Sequence, residues 1–216
     1  AEGYAKATGK PAVVFTTSGP GATNLTTGIA NANIDSAPMI CITGQVKQQA
    51  LGSDAFQETD VMNITSPITK WNYQITDPAE IAQVISKAFY IATTGRPGPV
   101  VIDITKDAQM AAVDFEYKPY KSLRTYNPNA QPRKNQVSKA AALINRAEKP
   151  LALIGQGVIL GHAEAELDAF LQKTGIPAAS TLLGLSAIPS DHPNYVGYLG
   201  MHGNYAPNKL TNEADL

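Results

Sequence analysis

Short apolar runs alternate with helix-like stretches along the first hundred residues. Residues 11–16 form a β-branched and aromatic run, and a glycine turn at 18–21 separates it from small residues suited to a closely packed helix over 22–33. Residues 38–43 and 100–104 are almost continuously apolar, as is typical of parallel strands covered on both faces. This alternation predicts an α/β domain built on a parallel sheet.

The clearest helix signal begins at Asp77. Asp77 can cap the helix, Pro78 suits its first turn, and Glu80 occupies the capping-box position. An apolar face follows at helical spacing, formed by Ile81, Val84, Ile85, Ala88 and Phe89. We expect this face to belong to the core.

The polar segment over 45–60 has no regular period. We expect Gly44 to end the preceding strand and the segment to form a loop with a short helical part. Loops that follow parallel strands often carry functional residues.

The composition of the chain changes after residue 107, and the regular spacing of apolar residues is lost there. Tyrosine, lysine and proline alternate there without helical or strand spacing, which predicts an interdomain connector pinned by its tyrosines. Patterns of helix, strand, helix and strand resume beyond it, at 137–144, 151–154, 167–175 and 176–181. We therefore predict a first domain over 1–108, a linker over 109–133 and a second α/β domain over 134–216.

Composition excludes several classes of function. The formal net charge is -1 and no long basic run is present, which argues against a nucleic-acid-binding surface. No apolar stretch approaches the roughly 20 residues of a membrane span, and no basic-then-apolar signal precedes the first predicted strand. The single cysteine, Cys41, excludes a disulfide framework and favours a cytoplasmic setting. The histidines lack metal-ligand spacing, so we expect no metal site within this chain.

Loops at the ends of predicted strands offer candidate ligand groups. In 17–24 the glycines let the backbone approach a ligand, and the helix start offers free amides. In 52–60, Phe56 offers an apolar wall and Gln57 an amide that can orient a polar ligand. The turn over 155–157 follows a predicted strand but lacks the third glycine of a dinucleotide-binding fingerprint. Open parallel sheets bind ligands at this edge.

Seven short motifs occur in order along the chain. They are Glu2-Gly3-Tyr4-Ala5, Ser18-Gly19-Pro20-Gly21-Ala22-Thr23-Asn24, Ile42-Thr43-Gly44-Gln45-Val46, Asp54-Ala55-Phe56-Gln57-Glu58, Gly95-Arg96-Pro97-Gly98-Pro99-Val100, Leu182-Leu183-Gly184-Leu185 and Leu199-Gly200-Met201-His202-Gly203. In this order and spacing the chain resembles the catalytic large subunits of the thiamine-diphosphate-dependent acetolactate synthases (acetohydroxyacid synthases).

The resemblance implies a fold of three α/β domains, each a three-layer arrangement around a parallel sheet. This chain would hold most of the pyrimidine-binding domain and part of the central, FAD-binding domain. It would begin after the His-Glu-Gln glutamate that activates the cofactor, and end before the domain that binds Mg²⁺ and the diphosphate. We therefore expect residues 1–216 alone to be inactive.

The resemblance also assigns site residues. Around thiamine diphosphate it places Pro20, Gly21, Asn24 and Gln57. In the catalytic set it places Gln57, Phe56 and Lys106, with Phe56 and Lys106 lining the substrate channel. Around FAD it places Arg96, Gly155, Gln156, Gly157, Thr181, Leu182, Met201, His202 and Gly203. Lys47 departs from the plant and yeast pattern, which usually has proline at this inhibitor-binding channel mouth. The resemblance therefore leaves inhibitor sensitivity open, although catalysis need not be affected.

The implied reaction is the decarboxylation of pyruvate and its ligation to a second 2-ketoacid, pyruvate or 2-ketobutyrate. This is the first common step of branched-chain amino-acid biosynthesis. The implied cofactors are thiamine diphosphate, Mg²⁺ bound outside this chain, and FAD in a structural role. The implied partners are a second copy in a homodimer or homotetramer and a small regulatory subunit, in the cytoplasm.

Two alternatives stay open at this point. The first is another enzyme of the superfamily, such as glyoxylate carboligase, pyruvate oxidase, or a pyruvate or oxalyl-CoA decarboxylase, although the motifs at 54–58 and 201–203 favour acetolactate synthase. The second is a stand-alone FAD- or nucleotide-binding module, which would need neither the activating glutamate nor the Mg²⁺ domain.

Overall fold

The computed structural model describes residues 1–128 and 131–216, and the chain forms two compact units, Ala1–Ala130 (unit 1) and Gln131–Leu216 (unit 2). The strands are β1 (Ala12–Thr16), β2 (Met39–Gln45), β3 (Trp71–Ile75), β4 (Pro99–Thr105), β5 (Ala152–Ile154), β6 (Ala178–Ser180) and β7 (Tyr195–Tyr198). The helices are α1 (Glu2–Thr8), α2 (Pro20–Thr23), α3 (Thr26–Ile34), α4 (Val61–Thr65), α5 (Ile81–Thr93), α6 (Lys106–Met110), α7 (Lys134–Arg146), α8 (Gly157–Leu160), α9 (Glu164–Thr174) and α10 (Tyr205–Glu213). Within the described ranges, no helix has the length and apolar character needed to cross a membrane.

Unit 1 is built on a parallel sheet with the strand order β1-β2-β4-β3. β4 pairs with β2 on one side and β3 on the other, and every one of its residues is buried. A strand enclosed in this way must be apolar on both faces, which explains its near-continuous run of valine and isoleucine. The buried strand predicted over 100–104 is therefore confirmed.

Helices cover both faces of this sheet. On one face α1, α3 and α4 pack in a core that includes Ile29, Cys41 and Val101. On the other face α5 and α6 pack in a core that includes Ile40 and Ile102. This confirms the three-layer α/β arrangement. Burial raises the pKa of the Cys41 thiol to about 12, so the thiol stays protonated and behaves as a small hydrophobe.

Two predicted boundaries in the first half are wrong. The helix predicted over 22–33 is divided into α2 and α3, since the Leu25 amide bonds to the Ala22 carbonyl three residues back and the chain turns more tightly there. Gly44 does not end β2. The strand continues through Gly44 to Gln45 because these residues pair with Ile104 and Thr105 of β4. α4 and β3 were not predicted.

The start of α5 differs in detail from the capping box that the sequence predicted. The Asp77 carboxylate accepts a hydrogen bond from the Ala79 amide at 2.9 Å, but a 3-10 turn over Pro78–Glu80 precedes the helix. The Glu80 carboxylate accepts from the Tyr73 hydroxyl at 3.1 Å instead of closing a box. The predicted apolar face packs in the core beside Ile102, as expected.

The segment after α6 is attached to unit 1 by hydrogen bonds. The Tyr126 hydroxyl donates to the Thr94 carbonyl at 2.7 Å. The Ser86 hydroxyl donates to the Lys118 carbonyl at 2.8 Å and accepts from the Tyr120 amide at 2.7 Å. Pinning by a tyrosine side chain is therefore confirmed at Tyr126. Tyr120 is held through its backbone amide and its ring centroid lies 6.3 Å from that of Tyr90, whereas Tyr117 is 53% exposed.

Unit 2 contains a second parallel sheet, with the order β5-β6-β7. Its core includes Ile154, Leu171 and Ile188. α9 ends at Gly175, whose φ of 68° is left-handed, as the predicted glycine stop requires. α7 forms where its apolar spacing predicts a helix, but none of its residues is buried.

Replacing Ile102 with alanine should lower the free energy of unfolding of unit 1 by about 2–5 kcal/mol, because Ile102 is fully buried in the central strand. Ile34→Ala is the matched control and should change it by less than about 0.5 kcal/mol, since Ile34 is 68% exposed. Urea denaturation followed by the fluorescence of Trp71, the only tryptophan, reports on this unit. Equal losses in the two variants would contradict this account of the core.

Candidate functional site

A cavity of about 770 Å³ opens at the carboxyl ends of β1, β2 and β4. We call it the strand-end cavity. Its lining residues are 15–18, 42–47, Phe56, Gln57, Ile104, Lys106, Gln109 and Met110. The strands are parallel, so their carboxyl ends and the loops that follow them meet at one edge of the sheet.

The walls of the strand-end cavity combine apolar surface with positive charge. Phe56, Phe15 and Met110 are 88%, 73% and 79% exposed, although side chains of this kind are usually buried. Lys47 and Lys106 are exposed and line the same cavity. This combination suits a ligand with an aromatic ring and a carboxylate or phosphate group.

Asp103 forms a buried polar cluster beneath the cavity. It is fully buried, and its carboxylate accepts hydrogen bonds from Thr43 Oγ1 at 2.6 Å, Gln74 Nε2 at 2.8 Å and Gln45 Nε2 at 3.1 Å. Thr43 and Gln74 lie directly opposite Asp103 on the two neighbouring strands. Burial raises the pKa of Asp103 above its ordinary value, although these three donors act in the opposite direction.

The cluster also supports the loop that carries Gln57. Gln45 Nε2, which bonds to Asp103, donates to the Thr59 carbonyl at 2.8 Å. Gln57 has a φ of 60°, a left-handed conformation that is uncommon for a residue with a side chain. Gly19 packs directly on it, since a Cβ added at Gly19 would lie 2.7 Å from the Gln57 carbonyl oxygen. The glycine turn and the Gln57 loop are therefore in close contact.

Thr16 supplies a polar atom without a protein partner. Within the part of the chain that the structure describes, its buried Oγ1 has no hydrogen-bond partner, and Thr16 lines the strand-end cavity. A buried hydroxyl is usually satisfied, and a ligand in the cavity would supply the missing partner.

Unit 2 has three loops at the carboxyl ends of its adjacent parallel strands. They cover 155–157 after β5, 181–184 after β6 and 199–203 after β7. A Cβ added at Gly155 or Gly157 would meet no atom within 4 Å, so chain packing does not require glycine at either position. Open space above two glycines at a strand end is what close approach of a ligand to the backbone requires.

The loop over 199–203 is fixed by side-chain amides. Asn208 of α10 accepts from the Gly200 amide and donates to the Gly200 carbonyl, both at 3.0 Å. The Tyr198 hydroxyl donates to the His202 carbonyl at 2.6 Å. Met201 projects from this loop and is 94% exposed.

Comparison with known proteins identifies both units. The N-terminal TPP binding domain of thiamine pyrophosphate enzymes matches residues 1–64, and the central domain of the same enzymes matches residues 137–216. The chain belongs to the thiamine pyrophosphate enzymes.

Curated relatives extend the similarity along the whole chain. The acetolactate synthase large subunit of Corynebacterium glutamicum is 48% identical over 216 residues, which are 100% of this chain and 34% of that protein. The probable acetolactate synthase large subunit of Methanocaldococcus jannaschii is 47% identical over 100% of this chain and 37% of that protein. The acetolactate synthase large subunit of Haemophilus influenzae is 44% identical over 100% of this chain and 38% of that protein. The chain thus spans about a third of the length of these relatives.

The structure brings together some of the residues that the sequence singled out. Phe56, Gln57 and Lys106 all line the strand-end cavity. Three others lie in the turn and short helix that follow β1 and are not among the residues that line the cavity: Pro20, Gly21 and Asn24. In unit 2, Gly155, Gln156, Gly157, Thr181, Leu182, Met201, His202 and Gly203 fall in the three strand-end loops.

Arg96 belongs to unit 1, and the structure gives it a role in packing. Its Nε donates to Ser36 Oγ at 2.8 Å, and its Nη2 donates to the carbonyl of Ile34 at 2.7 Å. These bonds cap the C-terminal end of α3, where a cation is favoured by the helix dipole. Nη1 takes no part in them.

Sequence reasoning did not identify the cluster of Thr43, Gln45, Gln74 and Asp103. One local signal was present, because Asp103 interrupts an otherwise apolar strand. A charged residue at such a position is rarely buried unless it has partners. Its partners come from two other strands, which only the pairing register reveals.

The raised pKa of Asp103 predicts how stability depends on pH. The folded protein holds this proton more tightly than the unfolded chain, so the Asp103 contribution is fully present below the ordinary value of 3.8 and is lost as pH rises through the higher folded-state pKa. Asp103→Asn removes this titration, and the variant should therefore gain stability relative to wild type as pH rises from about 4 toward 8. Urea denaturation followed by Trp71 fluorescence measures the difference. A difference that stays constant with pH would rule out this assignment.

Proposed function

We propose that this chain is part of an acetolactate synthase large subunit, which condenses pyruvate with a second 2-ketoacid. The observation that carries the proposal is 44–48% identity over the whole chain to proteins named acetolactate synthase large subunit. The proposed segment comprises the pyrimidine-binding domain, the connector and part of the central domain. Its substrates would be pyruvate and either a second pyruvate or 2-ketobutyrate.

The strand-end cavity fits the proposed thiamine diphosphate site. It lies at the carboxyl ends of the parallel strands and offers apolar walls for an aromatic ring. Thr16 Oγ1 lacks a partner within the described residues. Bound thiamine diphosphate would supply the electron sink that decarboxylation of a 2-ketoacid needs. Gly21 and Asn24, at the start of the helical region after β1, are proposed to border the cofactor with Pro20.

The residues of this chain would bind and orient the reactants. Gln57 can donate from its amide nitrogen to a carbonyl or carboxylate oxygen at the cavity. Phe56 would cover the reacting atoms and exclude water. Lys106 would attract the carboxylate of the 2-ketoacid, and Lys47 adds a second cation to the same wall. Exclusion of water on ligand binding would strengthen each of these electrostatic contacts.

The three strand-end loops of unit 2 fit the proposed FAD site. The space above Gly155 and Gly157 allows a cofactor to approach the backbone, and Leu182, 69% exposed, and Met201 provide apolar contacts. Gln156, Thr181, His202 and Gly203 belong to the same proposed site. Arg96, in unit 1, stays a separate proposal as a phosphate-binding residue, since an arginine can pair with a phosphate.

Further partners belong to the complete enzyme. Mg²⁺ and the diphosphate are proposed to bind to a part of the enzyme beyond these residues. The enzyme is proposed to act in the cytoplasm as a homodimer or homotetramer with a small regulatory subunit. The family assignment favours this proposal over a stand-alone FAD- or nucleotide-binding module, and the names of the relatives favour it over the other carboligases and decarboxylases.

Gln57→Ala in the full-length enzyme should lower kcat for acetolactate formation by about tenfold or more, because Gln57 would orient a polar group in the transition state. Gln49→Ala is the matched control and should retain wild-type kcat, since Gln49 is exposed and outside the cavity lining. A colorimetric acetolactate assay measures both variants. Wild-type kcat with an altered KM in Gln57→Ala would contradict an orienting role.

Gly155→Ala should weaken FAD binding without destabilising unit 2. The added methyl group meets no protein atom within 4 Å but would occupy the space proposed for the cofactor. Overpacking of this kind costs about 1–3 kcal/mol, which corresponds to about five- to 150-fold in Kd. Flavin absorbance after gel filtration measures retention. Gly28→Ala, also placed in open space, is the control, and equal retention in all three proteins would refute the site.

A further inference from the structure

A single carboxylate sets the shape of the loop that carries Phe56 and Gln57. Glu58 Oε1 accepts a hydrogen bond from the Gly52 amide, and Oε2 accepts one from the Ala55 amide at 3.0 Å. The Glu58 amide donates in turn to the Ala55 carbonyl at 2.9 Å. These bonds close residues 52–58 into a ring, and Phe56 and Gln57 form the part of the ring at the strand-end cavity.

The ring contains backbone conformations that must be held in place. Gly52, Asp54 and Gln57 have φ angles of 78°, 56° and 60°. Left-handed φ angles are unfavourable for residues with a side chain, such as Asp54 and Gln57, and persist only where surrounding contacts enforce them. The two amides that donate to the Glu58 carboxylate, those of Gly52 and Ala55, lie on either side of Asp54 in the sequence. The Glu58 carboxylate therefore stabilises the part of the ring that local preference opposes.

The Glu58 carboxylate is charged at neutral pH. Hydrogen bonds from the Gly52 and Ala55 amides hold the pKa of Glu58 below its ordinary value of 4.5. Hydrogen bonds to an ionised acceptor are about twice as strong as those between neutral groups. The ring is thus closed by two charge-assisted bonds.

Other contacts hold the two ends of the loop and leave the position of Phe56 to the backbone conformation. At the near end the Ser53 hydroxyl donates to the Ala50 carbonyl at 2.7 Å. Gln45 fixes the far end through its 2.8 Å bond to the Thr59 carbonyl, and Gly19 packs on the Gln57 backbone. The Phe56 side chain is 88% exposed, so packing contributes little to its position. The place of Phe56 at the cavity therefore depends on the conformation of the ring.

We propose that Glu58 is a positioning residue, which closes the 52–58 ring and thereby holds Phe56 and Gln57 at the strand-end cavity. Glu58 itself would touch neither substrate nor cofactor. The effect on turnover rests on the proposed function, whereas the closing of the ring does not.

The test compares Glu58→Ala and Glu58→Gln in the full-length enzyme by hydrogen–deuterium exchange and by kinetics. Glu58→Ala loses both bonds, so the amides of Gly52 and Ala55 should exchange about fivefold faster or more. Glu58→Gln keeps one acceptor oxygen and should be intermediate. In Glu58→Ala, kcat should fall by about tenfold with KM changed less than about threefold, because orientation and not affinity is lost. Glu58→Gln should recover part of kcat.

Glu80→Ala is the matched control, because Glu80 is a hydrogen-bonded carboxylate of the same unit that lies outside the cavity lining. It should leave both exchange over 51–58 and kcat unchanged. Unchanged exchange in Glu58→Ala would overturn the closing of the ring, and faster exchange with unchanged kcat would overturn the positioning role. A wild-type enzyme that forms no acetolactate would overturn the proposed function, while the exchange measurement still decides whether Glu58 closes the ring.

Discussion

The pairing of β2 with β4 is the constraint on which the candidate site depends. Its register sets Thr43 opposite Asp103 and Gln45 opposite Thr105, while β3 sets Gln74 on the other side of Asp103. A carboxylate buried between two strands is costly unless donors surround it, and this register supplies three of them. The same parallel register brings the strand ends together at one edge, where the cavity opens.

The buried cluster connects the rigid sheet to the loop at the cavity. Gln45 is shared between Asp103 in the sheet and the Thr59 carbonyl in the loop, so a strand side chain fixes the end of the loop. The Glu58 carboxylate then sets the shape of that segment from within. Residues that act on ligands need such support, because small displacements reduce their effect strongly. Gln45, Asp103 and Glu58 therefore lie where their hydrogen bonds order the loop at the cavity.

In unit 2, too, side-chain hydrogen bonds hold a loop at the end of a parallel strand. Its three loops follow adjacent parallel strands, and Asn208 holds one of them through both the amide and the carbonyl of Gly200. At Gly184 the chain itself requires glycine, since an added Cβ would lie 2.2 Å from the Ile154 carbonyl oxygen. At Gly155 nothing in the chain requires it. This contrast separates glycines needed for packing from those that leave room for a ligand.

The sequence by itself determined the elements whose signals are local. The apolar run of β4, the amphipathic face of α5 and the glycine stop of α9 follow from periodicity and turn chemistry, and the structure contains all three. The order and spacing of the motifs likewise indicate the family without reference to the fold. Only the tertiary structure decided that β2 continues through Gly44, that Asp103 has three donors and that Arg96 caps α3. Each of these depends on partners distant in sequence, by 29 residues for Gln74 and Asp103 and by 60 for Thr43 and Asp103. Such partners meet only when the chain folds.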